Sequence, residues 1–123
     1  MDSKEYYYIS TKWTGVNDGF ITLWRNNSNG YCWYKAWSGV YNELTEGYGI
    51  VPVEKSLVDK LWTSVEYDGT TREALLNHDE NLKALGVSKK DLQKNYRSSC
   101  PHKKDVIRYI IGNIHTQDGG QEG

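Results

Sequence analysis

The sequence predicts a single α+β domain over residues 1–114, an N-terminal antiparallel β-meander packed against short helices, with a disordered tail at 115–123. Three observations carry this. The amino-terminal part is rich in aromatic and β-branched residues, interrupted by Gly- and Asn-rich turns. The middle of the chain changes to helical spacing with capping residues. A length of 123 residues is enough for one modest core and too short for two.

Tyr6-Tyr7-Tyr8-Ile9-Ser10 is the first β-prone run. Phe20-Ile21-Thr22-Leu23-Trp24-Arg25 is the second and Tyr31-Cys32-Trp33-Tyr34-Lys35-Ala36-Trp37 the third. The segment Gly15-Val16-Asn17-Asp18-Gly19 joins the first two, and Asn26-Asn27-Ser28-Asn29-Gly30 closes residues 20–37 into a hairpin, since Asn-Gly tolerates the positive φ that a tight turn needs. Alternation places Phe20, Thr22 and Trp24 on one face of the second strand and Ile21, Leu23 and Arg25 on the other. Both faces are apolar, more than one helical layer covers, which makes a homo-oligomer one expectation.

Residues 38–52 read as turns, with Gly39, Gly47, Gly49 and Pro52. Leu57, Val58, Leu61, Trp62 and Val65 then follow an amphipathic helical pattern, with Asp68-Gly69 as its stop. Asn77 and Glu80 are spaced as a capping box ahead of Leu82 and Leu85, and Gly86 is a C-terminal stop. Ser88 and Asp91 repeat the box, with Val87 and Leu92 as a hydrophobic staple and Tyr96 extending that face. After Pro101, the run Val106 to Ile114 fits a strand or a short helix; periodicity does not separate the two.

Composition narrows the function classes. The formal net charge is −1, which favours neither a nucleic-acid coat nor a membrane-surface protein. Charge is unevenly distributed, however: residues 51–82 are net acidic, whereas 83–108 hold eight basic residues against Asp91 and Asp105. Such a segment is either a solvated face or a field that draws an anion. Two cysteines, Cys32 and Cys100, are too few for a disulfide framework, the chain opens on polar residues, and no apolar run approaches the ~20 residues of a membrane span. A cytoplasmic location is expected, with reduced thiols and no membrane partner.

No motif for catalysis stands out. His78, His102 and His115 are widely spaced, and Cys100-Pro101-His102 supplies one close pair where zinc needs four convergent ligands. Gly47-Tyr48-Gly49 is too short to cradle a phosphate. The sequence therefore predicts a non-enzymatic protein with no cofactor and no metal.

The distinctive feature is aromatic clustering. All five Trp and seven of the ten Tyr lie within residues 1–62. Flat ring faces stack on nucleobases, each stack being worth ~1–3 kcal/mol, and a neighbouring Arg grips phosphate with a fork of donors. Candidate ligand-binding residues are Trp24, Arg25, Trp33, Lys35 and Trp37 on the hairpin, Tyr41 and Tyr48 in the Gly-rich turns, and Lys89, Lys90 and Arg97 in the basic segment. Trp24 and Trp33 fit the core equally well, because aromatic residues at alternating strand positions usually pack inward.

The stretch Phe20 to Arg25, followed by Gly30-Tyr31-Cys32 and Ser38-Gly39-Val40-Tyr41, resembles a pattern in small bacteriophage accessory proteins. Asn77 through Leu92, with Leu85-Gly86 inside it, is similar to their second half. Asn26 and Asn27 stand where those proteins carry a proline soon after the Trp-Arg pair. The resemblance implies counter-defence in a host cell, through sequestering a signalling nucleotide or blocking a host enzyme. The expected partner is accordingly a small anionic ligand, with a host protein or a nucleic acid as the alternatives.

Overall fold

The computed structural model describes residues 4–45, 47, 49–94 and 98–111. Tyr48, Tyr96, Arg97, Ile114 and the expected tail lie outside the described residues. The fold is α+β. Strands β1 (Tyr6–Ser10), β2 (Leu23–Trp24), β3 (Tyr31–Cys32) and β4 (Ile50–Glu54) form an antiparallel sheet in the order β3-β2-β1-β4. The meander expected from the sequence is thus present, and β4, drawn from the segment read as turns, covers the other edge of β1. All five residues of β1 are buried, as a strand paired on both sides requires.

The β2–β3 hairpin forms, but with short strands. Trp24 pairs with Tyr31, and a 3₁₀ turn at Asn26–Ser28 reverses the chain with Asn27, Ser28 and Gly30 all at positive φ. A second 3₁₀ turn at Lys35–Trp37 ends the third run before it becomes a full strand.

Helix α1 covers only Lys55–Val58, so the longer helix expected through Val65 is corrected. Residues 63–74 instead make a second hairpin, β5 (Thr63–Tyr67) with β6 (Thr70–Ala74). Asp68 and Gly69 both have positive φ (58° and 74°), the requirement of a tight turn whose twist matches its strands. The β-branched residues around Asp-Gly outweigh the helical spacing of Leu61, Trp62 and Val65.

Helix α2 (Asp79–Leu85) ends at Gly86, left-handed at φ 74° as expected. Its cap is His78, whose Nδ1 accepts from the Asn81 amide at 3.3 Å. Asn77 is instead buried and ties down the first loop. Ser88 caps a single 3₁₀ turn at Lys89–Asp91, and the staple residues Val87 and Leu92 are both buried. The final apolar run resolves as a 3₁₀ helix, Lys103–Tyr109, followed by a one-residue bridge from Ile110 to Val65.

Two apolar cores result. Ile9, Ile21 and Leu23 meet Val53, Val58, Leu75, Leu82 and Leu85 in the larger one. Phe20, Tyr34, Val65, Ala74, Cys100 and Val106 form the smaller. Adjacent residues enter opposite cores (Phe20 and Ile21, Ala74 and Leu75), the period-2 alternation of extended chain. Both apolar faces of the second run are thus covered by this chain itself. No helix among the described residues is long and apolar enough to cross a membrane.

Candidate ligand-binding site

An open cavity of about 460 Å³ lies beside the smaller core, within the range of small-molecule sites. Its walls are the rings of Trp13, Tyr31, Trp33, Tyr34 and Trp37, with the exposed Arg25 and with Ser98 and Ser99 also in the lining. Trp37 and Tyr31 keep 44% and 40% of their surface accessible, so both rings are only partly consumed by packing.

The early end of β3 builds this wall. A continued strand would put Tyr34 on the face opposite Trp33 and Trp37. A bend at Trp33 breaks that alternation and the 3₁₀ turn then carries Trp37 round, so that all three rings line one cavity, with Tyr34 5.7 Å from Trp37 and 6.1 Å from Trp33 between centroids. Phe20, fully buried, backs both Trp33 and Tyr34 from the core at 5.9 and 6.2 Å. On the other side Tyr31 stands between Trp13 and Trp24, at 5.7 and 5.0 Å. Gly39 lets the chain return past Arg25: a Cβ there would lie 2.7 Å from the Asn26 backbone.

Electrostatics favour an anion. Arg25 is the charged side chain among the described lining residues, and no carboxylate accompanies it. Its guanidinium sits 5.7 Å from the Trp37 centroid, and that of Arg72 lies 4.5 Å from the same ring and 5.5 Å from Tyr34. With two guanidiniums already against Trp37, this aromatic surround is set against a cationic guest. Burial pushes the Cys32 thiol and the Tyr34 phenol above their ordinary pKa values, so both stay neutral hydrogen-bonding groups at neutral pH.

Of the residues expected from the sequence, the cavity takes Arg25, Trp33 and Trp37. Trp24 is half-buried behind Tyr31, its indole N–H without a partner among the described residues. Lys35 points to a neighbouring groove and pairs with Glu73 at 3.9 Å. Tyr41 is a structural tie: it stacks on Tyr8 at 4.0 Å and bonds the 25–28 turn through its hydroxyl. Lys89 is paired with Asp79 at 3.1 Å beside His78 and Lys103, away from the rings, and Lys90 is exposed. Tyr48 and Arg97 lie outside the described residues. The sequence reading missed Trp13, Tyr31, Tyr34, Ser98 and Ser99. Trp13 was accessible by the rule that singled out Trp37, an aromatic residue in a connecting loop; the serines carry no such signal.

Among the described residues, no group of three or more His, Cys, Asp or Glu side chains is placed to hold a metal ion. His78 and His102 each use Nδ1 to accept a backbone N–H at a helix start. Comparison of the chain with protein-family models, curated proteins and solved structures gives no match.

Proposed function

We propose that this protein binds and sequesters a small anionic ligand with a flat ring, of the nucleotide class, without transforming it. The observation that carries this reading is the cavity lined by five aromatic rings with Arg25 and no carboxylate among the described residues. A base stacked on Trp33 or Trp37 gains dispersion and area burial, and a phosphate takes the donor fork of Arg25. Its likeness to phage accessory proteins extends this to counter-defence, in which capture of a host signalling nucleotide is the protein's task.

Calorimetry against nucleosides, nucleoside monophosphates and choline tests it. Monophosphates bind and the matching uncharged nucleosides bind more weakly. Arg25→Ala removes roughly tenfold in affinity for the phosphorylated ligand, the scale of one charge-assisted contact. Trp33→Ala abolishes binding of both. Tight binding of choline with indifference to nucleotides would reverse the charge assignment and sink the reading.

A second reading rests on the exposure of Trp37 and Tyr31, residue types that serve as anchors in protein interfaces. In that case the two rings enter a host protein, and Trp37→Ala loses that partner in a pull-down while nucleotides leave the chain unaffected.

A further inference from the structure

A second cavity, of about 500 Å³, opens on the other side of the Lys35–Trp37 turn. Its chemistry differs from that of the aromatic cavity. Among the described residues, Lys35, Lys55 and Arg72 line it against one carboxylate, Glu73, and the hydroxyl of Thr71 adds a neutral donor. Asp59 draws off part of the Lys55 charge through a 2.9 Å pair. The Lys35–Glu73 pair is long, at 3.9 Å, and both side chains are substantially exposed, so little holds Lys35 to its present partner.

The turn is a thin partition. Trp37 lines the aromatic cavity, and its neighbours Ala36 and Ser38 line the groove. Arg72 belongs to the groove, yet its guanidinium stacks on Trp37 at 4.5 Å and approaches Tyr34 at 5.5 Å. Stacking engages the face of a guanidinium and leaves its in-plane N–H donors directed outward, where an anion takes them.

We infer that this groove is a second anion subsite of the same binding site, so that the ligand is a nucleotide carrying phosphate beyond the group held at Arg25. The inference rests on the nucleotide reading of the aromatic cavity. The base occupies the rings, Arg72 at the partition meets the linking phosphate, and Lys35 and Lys55 take the distal one. A polyphosphate chain and a second nucleotide unit share this chemistry.

The two parts are tested separately. Inorganic tripolyphosphate, which has no ring, is titrated while backbone amide spectra are recorded. Amides of residues 35–38 and 71–73 shift, the shifts vanish in Lys35→Gln/Lys55→Gln, and they persist in Trp33→Ala. Tripolyphosphate that leaves those amides unmoved, or moves them equally in the double variant, overturns the groove. Adenosine monophosphate binding in the face of that result would leave the nucleotide reading standing alone. Conversely, tripolyphosphate in the groove with every nucleotide refused would overturn the shared site.

Affinities of adenosine monophosphate, adenosine triphosphate and the linear dinucleotide pApA complete the test. At least a tenfold gain over the monophosphate is expected for one of the larger ligands, lost in Lys35→Gln/Lys55→Gln. Gain by the triphosphate selects the chain, and gain by pApA selects the second nucleotide. Equal affinities for all three, or a gain that survives the double variant, overturn the inference.

Discussion

The hydroxyl of Tyr41 donates to the backbone carbonyl of Arg25, the residue that supplies the charge of the aromatic cavity. The same oxygen accepts from the Ser28 amide at 3.1 Å, and the ring rests on Tyr8 with planes 10° apart. Tyr41→Phe keeps the stack and loses both hydrogen bonds. Stability falls by roughly 1 kcal/mol in urea unfolding. Affinity for a phosphorylated ligand falls several-fold while affinity for the uncharged nucleoside holds, because the substitution loosens Arg25 and not the rings.

Asn77 joins the two halves of the chain. Its side-chain amide donates to the carbonyls of Gly15 at 3.1 Å and Asp18 at 2.7 Å, and all three residues are buried. Asn77→Ala strands the Asp18 carbonyl, while that of Gly15 keeps the Asp18 N–H, and costs about 1–3 kcal/mol. Native-state hydrogen exchange should show faster exchange across residues 14–19, whereas a surface role for Asn77 would leave those rates unchanged.

Gly39 sits where a side chain has no room, its would-be Cβ lying 2.7 Å from the Asn26 backbone N and Cα. Backbone cannot step aside as a side chain does. Gly39→Ala should cost roughly 1–3 kcal/mol and displace the turn that carries Arg25. Thermal unfolding measures the first effect and monophosphate calorimetry the second.

Asp59 and Tyr7 set the pH limits of one cluster. Burial favours the neutral Asp59 carboxyl, but hydrogen bonds from Lys55, Trp62 and Tyr7 outweigh it and hold the group below its ordinary 3.8. Its stabilisation is complete above that value and is lost as pH falls through the lower, folded-state pKa. Tyr7 is shifted the opposite way, pushed up to about 12 by burial and by the Asp59 charge. A raised phenol pKa stabilises fully below the ordinary 10.0 and loses that contribution as pH climbs towards 12. Asp59→Asn should flatten the acid limb of the stability profile and lower the Tyr7 pKa, read by ultraviolet titration of the phenolate.

The thiols differ in access. Burial drives Cys100 up to about 12, and Cys32, half-buried on the cavity wall, is raised as well. At neutral pH both should alkylate more slowly than a free thiol. Mass spectrometry should find Cys32 modified first and protected by a bound ligand, with Cys100 modified only on unfolding. Equal labelling with and without ligand would place the ligand elsewhere.

Much of this was legible from local chemistry. The Asn26–Gly30 turn, the Gly86 stop and the opposed faces of Phe20 and Ile21 all follow from positive φ or period-2 alternation, which need no knowledge of distant residues. Asp68-Gly69 was visible too, but it fits a helix stop and a hairpin turn alike. Only the β-branched Thr63, Val65, Thr70 and Thr71 around it favour the strand pair formed here. The cavity was half legible. Arg25, Trp33 and Trp37 follow from clustering, whereas Tyr34 reaches it only because a bend at Trp33 breaks alternation, and Ser98 is held by a bond to Asp18, 80 residues away. Contacts of that separation leave no trace in spacing.

Three of the five indoles, Trp13, Trp33 and Trp37, border one hollow, while Trp24 and Trp62 stand outside its lining. Intrinsic emission of the unlabelled protein therefore comes in large part from groups that line this hollow. Loading the site will quench or recolour that light, and the chain carries its own optical gauge of occupancy.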